Sequence, residues 1–226
     1  MTAMHQTPAH SVVNQDLLRL IPDNTRRVIE VGCMHGQMAR AYRLSHPEVE
    51  YTGIDIDPDY ASVAGEFCTK SIAGDIESID EEIFRSLFPS DCWIFGDCLE
   101  HLRDPWLLLK RIRESIDSDG CLLACIPNAQ HWSVQWRLIS GQFRYEDSGL
   151  LDRTHLRWLT RTTMLEMFGS TGWKVAHGFS RILPVNPLEE PVLKGIRDFS
   201  IACGLDPELA VKDARPFQYV FKAIPA

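Results

Sequence analysis

The chain has 226 residues, of which 45% are hydrophobic and 24% charged, and its formal net charge is −8 at pH 7. This profile is typical of a folded chain with a substantial core and excludes a disordered one. The acidic balance disfavours a nucleic-acid binder that relies on a broad basic face, and no apolar run approaches the ~20 residues of a membrane span.

The seven cysteines are scattered along the chain and form no CxxC pair. This pattern favours free thiols in a reducing compartment over a disulfide framework or a structural zinc site. Residues 1–15 lack a basic start followed by an apolar stretch, so we expect no secretory signal. Together these features predict a cytoplasmic protein.

Apolar runs typical of buried strands alternate with helical patterns along most of the chain. The helices are predicted at 11–21, 37–45, 81–88, 105–116, 160–172 and 190–203, and the strands at 26–32, 51–57, 69–75, 92–97, 120–128, 173–179 and 217–224. This alternation predicts an α/β fold with a doubly wound, mostly parallel sheet. Residues 131–158, rich in Trp, Arg and Tyr, interrupt the rhythm. We therefore predict one domain over residues 1–226, with a lid-like insertion at about 129–158 after the fifth strand.

The stretch VIEVGCMHGQ puts a tight glycine turn between the first strand and the first helix of the alternation. A dinucleotide fingerprint would need glycine where the chain has Met34 and Gln37, so a nicotinamide enzyme is disfavoured. What remains is E-x-G-x-x-x-G, with Glu30, Gly32 and Gly36. A carboxylate at the strand end suits the amino group of a ligand better than a pyrophosphate. The glycines would let backbone amides approach that ligand closely.

Acidic residues also end the next two strands. Asp55 has the spacing at which a carboxylate hydrogen-bonds both hydroxyls of a ribose. Asp75, in the segment GDI, could accept from an exocyclic adenine amine, with Ile76 packing on the ring. A ligand that combines an ammonium-bearing tail, a ribose and an adenine is S-adenosylmethionine.

On these motifs the chain resembles the class I S-adenosylmethionine-dependent methyltransferases over about residues 26–180. EVGCMHG resembles the first family motif, GIDID the second, AGDI the third and DCLEHLRDP the segment after the fourth strand. Met34 departs from the pattern, because the family often has a small residue there. The resemblance implies a Rossmann-like, seven-stranded sheet whose last strand runs antiparallel beside the sixth. The cofactor-binding residues that it implies are Glu30, Gly32, Cys33, Gly36, Asp55, Ile56, Asp75, Ile76 and Asp97.

The segment DCLEHLRDP raises a question of its own. Asp97, Glu100 and His101 lie three and four residues apart, so they would share one face of a helix. One interpretation is structural, with Asp97 as the N-cap and Glu100 completing a variant of the capping box. The other is a reactive centre, and both interpretations remain open at this point.

The segment GLLDRTHLRW supports the reactive centre, because its His155 should lie near the methyl-donor site. D-x-x-E-H and the later T-H-L-R-W resemble small-RNA 2′-O-methyltransferases, in which E-x-x-E-H and a later histidine hold a divalent metal. The ubiquinone-pathway O-methyltransferases carry a similar L-E-H segment. The resemblance implies that Asp97, Glu100, His101 and His155 bind Mg²⁺ or Mn²⁺, or a related divalent ion. His101 and His155 are the candidate catalytic residues, as metal ligands or as bases that deprotonate a hydroxyl group.

The insertion resembles a segment of bacterial methyltransferases from glycan, lipopolysaccharide and antibiotic-sugar pathways. Its aromatic residues could form a wall for a sugar or ring-bearing substrate or could pack the insertion onto the core; they are Trp132, Trp136, Phe143, Tyr145 and Trp158.

We expect O-methylation of a hydroxyl on a sugar, glycan or secondary metabolite, with a small-molecule or glycan partner and neither nucleic acid nor membrane. The alternatives are N-methylation of an amino sugar or small molecule, an RNA 2′-O-methyltransferase, and a catalytically silent S-adenosylmethionine-binding partner domain. The sequence does not assign an oligomeric state.

Overall fold

The computed structural model describes residues 7–226. The first six residues of the stretch in which we predicted no secretory signal lie outside the described residues. The strands are β1 (Arg27–Val31), β2 (Glu50–Asp55), β3 (Lys70–Ala73), β4 (Cys92–Gly96), β5 (Cys121–Pro127), β6 (Trp173–Arg181) and β7 (Gln218–Pro225). The helices are α1 (Gln15–Leu20), α2 (Gln37–Arg43), α3 (Pro58–Ala64), α4 (Glu81–Arg85), α5 (Pro105–Ser115), α6 (Trp132–Ile139), α7 (Arg161–Ser170), α8 (Glu189–Ala202) and α9 (Pro207–Ala214). A 3-10 turn at Leu99–His101 follows β4.

The seven strands form one sheet in the order β3-β2-β1-β4-β5-β7-β6. The first five strands are parallel, and β7 runs antiparallel between β5 and β6. This confirms the predicted doubly wound, mostly parallel sheet and its antiparallel last strand. The order reverses between β1 and β4, and in such sheets ligands bind at the carboxyl ends of the strands beside that reversal.

Helices cover both faces of the sheet, because its central strands alternate their apolar side chains between two clusters. Along β4, Trp93 and Phe95 point into one cluster, which α5 and α7 complete. Cys92 and Ile94 point into the other, with residues of α1 and α2. Burying a large apolar side chain of this kind contributes roughly 1.5–3 kcal/mol. The sheet is therefore a rigid base for the loops at its carboxyl edge.

Three helices were not predicted: α3, α6 and α9. Two of them begin with Asp-Pro, where Asp57 and Asp206 cap the first turn and the proline occupies its first position. The third, α6, lies in the insertion, where Trp132 packs in a separate small cluster with α8 and α9. Among residues 7–226, no helix combines the length and the apolar character that crossing a bilayer requires.

Candidate active site

The loop between β1 and α2 is built on backbone conformations with positive φ. Gly32 and Gly36 have φ values of +75° and +70°, and a Cβ on Gly36 would lie 3.1 Å from the Cα of Ala64. Met34 adopts the same left-handed region, with φ of +46°, although only glycine does so without strain. The loop therefore keeps a glycine-type conformation at the position where the sequence departs from the family pattern.

Asp55 lies at the end of β2 and holds this loop in place. Its carboxylate is 5% exposed and accepts two backbone hydrogen bonds, from Met34 N at 2.7 Å and from Asp57 N at 2.9 Å. Burial raises the pKa of Asp55, while these two hydrogen bonds oppose the rise. Ile56, the next residue, is 39% exposed. The carboxylate is thus already hydrogen-bonded, beside an apolar side chain that faces solvent.

Glu30 is a buried carboxyl group near the carboxyl end of β1, between β2 and β4. Its Oε2 accepts a hydrogen bond of 2.9 Å from the Tyr51 hydroxyl, and burial raises its pKa to about 8. Glu30 is therefore protonated at neutral pH in the absence of a cation. Cys33, which is also buried, lies in the apolar cluster on the same side of the sheet. The partner Tyr51 carries no motif and could not have been identified from the sequence.

Asp75 follows β3 and pairs with a cation that the sequence did not reveal. One carboxylate oxygen accepts from Glu77 N at 2.9 Å, and the other is ion-paired with the guanidinium of Arg103. Arg103 also pairs with Glu77 at 3.3 Å, so it joins the loops after β3 and β4. Ile76 is 3% exposed and packs in the main core cluster. The sequence predicted that Asp75 accepts a hydrogen bond from an adenine amine, and such an amine would share the carboxylate with Arg103.

Asp97 directly follows β4 and has a left-handed backbone, with φ of +53°. Its side chain accepts a hydrogen bond from Gln218 in β7, and its backbone N–H donates to Cys125 O at 3.0 Å. Burial raises the pKa of Asp97 to about 6, although the positive charge of Arg181 and the hydrogen bond from Gln218 oppose this rise.

The capping interpretation of Asp97 and Glu100 is wrong. The turn at Leu99–His101 has Cys98 as its N-cap, without a side-chain cap, and α5 is capped separately by Asp104.

The structure brings together three of the four predicted metal ligands. Glu100, His101 and His155 each offer one ligand atom, and these atoms all lie within 4.8 Å of one another. Oε1 of Glu100 is 4.0 Å from Nε2 of His101 and 3.9 Å from Nε2 of His155. Asp97, the fourth predicted ligand, is not part of this group. We call Glu100, His101 and His155 the His-Glu cluster.

Hydrogen bonds from two directions fix the His-Glu cluster. The backbone N–H groups of Leu156 and Arg157 donate to the carbonyl oxygen of Glu100 at 2.8 and 2.9 Å, which joins the insertion to the turn after β4. Nδ1 of His155 donates to the carbonyl of Leu150 at 3.2 Å, and Nδ1 of His101 to the carbonyl of Thr154 at 3.2 Å. Because a carbonyl only accepts, each Nδ1 carries the proton and each Nε2 presents a lone pair towards Glu100.

The electrostatics of the cluster fit a cation. Glu100 is 1% exposed, and within the described part of the chain neither of its carboxylate oxygens has a hydrogen-bond partner. Burial, and then the charge of Asp97, hold its pKa well above the usual range. Burial also lowers the pKa of His101, and burial together with the charge of His101 lowers that of His155 to about 4. At neutral pH the site thus combines two neutral imidazole lone pairs with a buried, unpartnered carboxyl group, a donor set that suits a divalent metal.

The aromatic residues of the insertion divide into two groups. Trp132 is only 9% exposed and packs on α8 and α9, as the core interpretation predicted for it. Trp158 is partly buried beside the cluster, with its ring 6.1 Å from that of His155 and 5.3 Å from that of Phe143. Tyr145 is 59% exposed. An aromatic surface therefore adjoins the His-Glu cluster on the side of the insertion.

A family model described as a methyltransferase domain matches residues 5–177 of this chain. A search among proteins of curated function found no match.

Many solved structures share the fold. A SAM-dependent methyltransferase from Archaeoglobus fulgidus is 19% identical, with a TM-score of 0.58 over 93% of this chain and 91% of its own. An O-methyltransferase from a trans-AT polyketide synthase of Brevibacillus brevis, in complex with S-adenosyl-L-homocysteine, is 15% identical, with a TM-score of 0.58 and coverage of 94% and 71%. The mitomycin 7-O-methyltransferase MmcR is 14% identical, with a TM-score of 0.54 over 89% of this chain, which spans only 49% of that enzyme.

Proposed function

This chain belongs to the methyltransferase-domain family, and we propose that, as an S-adenosylmethionine-dependent enzyme, it methylates a hydroxyl group on a small-molecule acceptor. The observation that carries the choice of a hydroxyl is the His-Glu cluster at the carboxyl edge of the sheet. An amine is a good nucleophile once its ammonium form has lost a proton. A neutral alcohol is a poor nucleophile, and a metal or a base is needed to help remove its hydroxyl proton.

The carboxyl edge of the sheet fits the methyl donor. Asp55 offers carboxylate oxygens beside the glycine loop, and a Cβ added at Gly74 would meet no atom within 4 Å, so the edge is open next to Asp75. S-adenosylmethionine supplies an activated methyl group on a sulfonium. The residues that we propose to bind it are Glu30, Gly32, Cys33, Gly36, Asp55, Ile56, Asp75, Ile76 and Asp97.

The His-Glu cluster is better suited to holding a cation than to acting as a base alone. A base works best when its pKa lies near the working pH, and the pKa of His155 is about 4. The same shift keeps the imidazole neutral, which is the form that binds metals. We propose that Glu100, His101 and His155 hold Mg²⁺ or Mn²⁺, with the histidines favouring Mn²⁺. Such an ion lowers the pKa of a bound hydroxyl group.

The acceptor that we propose is a hydroxylated sugar, glycan or natural product. The mitomycin and polyketide enzymes with the same fold support a natural-product hydroxyl. The insertion at about 129–158 would act as a lid in a single domain, with Trp158 and Phe143 forming an apolar surface beside the cluster. All seven cysteines are free, and six of them are buried, which supports the proposed cytoplasmic location.

The experiment is a transfer assay with methyl-labelled S-adenosylmethionine and a panel of sugar hydroxyls, catechol-type natural products, amino sugars and small RNA. We expect label on the oxygen of a small molecule, loss of transfer in EDTA, and recovery with Mn²⁺ or Mg²⁺. His155→Ala should abolish this transfer, while His177→Ala, at an exposed histidine in β6, should not.

Each other outcome rejects a stated part of the proposal. Full transfer in EDTA would reject the metal, label on nitrogen or on RNA would reject the acceptor class, and failure to bind the donor would reject the enzyme.

A further inference from the structure

The loop that carries His155 is organised by a single buried carboxylate, Asp152. This residue is 2% exposed, and its Oδ1 accepts two hydrogen bonds from Thr154, from the backbone N at 2.7 Å and from Oγ1 at 2.6 Å. Its backbone carbonyl accepts from His155 N at 3.1 Å. Asp152 therefore fixes both the hydroxyl of Thr154 and the backbone of a cluster histidine, although it does not itself belong to the His-Glu cluster.

The hydroxyl of Thr154 connects Asp152 to the second histidine. Because this hydroxyl gives its single hydrogen to Asp152, it presents only lone pairs to its other neighbours. Nδ1 of His101 lies 3.0 Å from Oγ1 of Thr154 and 3.2 Å from its carbonyl oxygen. Two acceptors thus face Nδ1 of His101 and favour the tautomer in which Nε2 is unprotonated and available towards Glu100.

The N-terminal segment completes the coordination of Asp152. Thr7 Oγ1 donates to Asp152 Oδ2 at 3.0 Å. The same segment is held at its other side by α3, because the Tyr60 hydroxyl donates to Thr7 O at 3.4 Å and accepts from Ala9 N at 3.0 Å. Residues 7–9 therefore span from α3, beside the glycine loop, to the loop that carries His155. The carboxylate is hydrogen-bonded on both oxygens, unlike that of Glu100.

We propose that Asp152, acting through Thr154, is the positioning residue that fixes His101 with its Nε2 atom towards Glu100. The inference deepens the proposed function, since it rests on the role assigned there to the His-Glu cluster. Residues one step removed from a metal site orient its ligands, and their loss typically lowers metal affinity by about 10–100-fold. Neither residue was singled out from the sequence, although D-x-T is a spacing at which an aspartate bonds the backbone two residues on.

The test uses the metal-free protein and its histidine tautomers, read by nitrogen-15 NMR, with the His101 signal assigned from its loss in His101→Gln. In the wild type we expect protonated Nδ1 and unprotonated Nε2 at His101. Asp152→Ala frees the Thr154 hydroxyl to donate to Nδ1 of His101, and Thr154→Val leaves Nδ1 only the longer contact, to the Thr154 carbonyl. Each variant should therefore raise the share of the Nε2-protonated tautomer, whereas Thr154→Ser, which keeps the hydroxyl, should retain the wild-type signature. Calorimetry with Mn²⁺ should show a loss of affinity of about 10–100-fold in the first two variants and none in the third.

Asp206→Ala is the matched control. Asp206 also accepts two hydrogen bonds near a turn, from the backbone N atoms of Glu208 and Leu209, but at the exposed start of α9. It should leave both readouts unchanged. An unaltered His101 tautomer in folded Asp152→Ala or Thr154→Val protein would overturn the inference, and Thr154→Val decides if Asp152→Ala does not fold. If the wild type bound no Mn²⁺, the metal site proposed above would fail, while the tautomer shift would still support the positioning role.

Discussion

Two buried carboxyl groups at the same edge of the sheet have opposite surroundings. Asp55 is 5% exposed and accepts hydrogen bonds from two backbone N–H groups. Glu100 is 1% exposed and, among the residues that the structure describes, receives none. An unpaired buried charge costs far more free energy than a hydrogen-bonded one. Asp55 is therefore part of the loop architecture, whereas Glu100 needs either a proton or a cation from outside.

Glu30 lies between these two cases, with one hydrogen bond, from the Tyr51 hydroxyl. Counting the donors thus ranks Asp55, Glu30 and Glu100 by how far the fold itself satisfies them. The ranking separates carboxyl groups that the fold itself supplies with hydrogen-bond donors from one that, among the described residues, receives none. Each of the following changes tests one part of this ranking.

The largest effect is expected from Asp55→Ala. The substitution leaves the N–H groups of Met34 and Asp57 without their acceptor, and each lost partner costs about 1–3 kcal/mol. We expect calorimetric binding of S-adenosylmethionine to be abolished and the free energy of unfolding in urea to fall by a few kcal/mol. Asp55→Asn keeps one acceptor oxygen, so its free energy of unfolding should lie between those of Asp55→Ala and the wild type. Unchanged donor affinity in Asp55→Ala would contradict the cofactor assignment.

Glu100→Gln should separate ligand binding from stability. No hydrogen bond to its side chain is lost, because none reaches it within residues 7–226. We therefore expect the free energy of unfolding in EDTA to change by no more than about 1 kcal/mol, while Mn²⁺ binding measured by calorimetry disappears. A loss of stability as large as that of Asp55→Ala would show that Glu100 has a structural role, and retained Mn²⁺ binding would exclude it as a ligand.

The sheet could be predicted from the sequence because its central strands, above all β4 and β5, are nearly continuous apolar runs. Every predicted strand corresponds to one in the structure. Helices of the regular βα rhythm, such as α5, were found because their apolar residues recur at helical spacing. The short helices α3 and α9 were missed although Asp57-Pro58 and Asp206-Pro207 are helix start signals.

The candidate site was predictable where it depends on residues near one another in sequence, as for Glu100 and His101. The grouping of Asp97 with them assumed a regular helix, and the left-handed backbone at Asp97 followed by a 3-10 turn separates it from the cluster. The Arg103–Asp75 and Gln218–Asp97 contacts join residues 28 and 121 positions apart. Such pairs are set by tertiary packing, which a single sequence does not specify.

The intermediate rank of Glu30 predicts a pH-dependent effect of moderate size. Because burial raises its pKa from 4.5 to about 8, the folded protein binds more protons than the unfolded chain between these values. Stability from this group is therefore fully present below about pH 4.5 and is lost as the pH rises towards 8. Glu30→Gln removes this slope, so its stability relative to the wild type should increase by roughly 3 kcal/mol between pH 5 and pH 8 in urea unfolding. If the free energies of unfolding of the two proteins changed in parallel with pH, the pKa of Glu30 would not be raised by burial, and its intermediate rank would be wrong.

The smallest effect is expected at Met34, whose backbone N–H is one of the two donors to Asp55. Holding a methionine at φ of +46° costs about 1–2 kcal/mol, whereas a glycine there loses about 0.5–1 kcal/mol in extra unfolded-state entropy. Met34→Gly should therefore raise the free energy of unfolding by up to about 1 kcal/mol and keep the hydrogen bond to Asp55. Gly36→Ala is the opposite control, since it adds a Cβ at φ of +70° only 3.1 Å from the Cα of Ala64 and should destabilise the protein. If Met34→Gly instead destabilised the protein, the methionine side chain would itself help to hold the loop against Asp55. The two backbone donors alone would then not explain why Asp55 is the best satisfied of the three carboxyl groups.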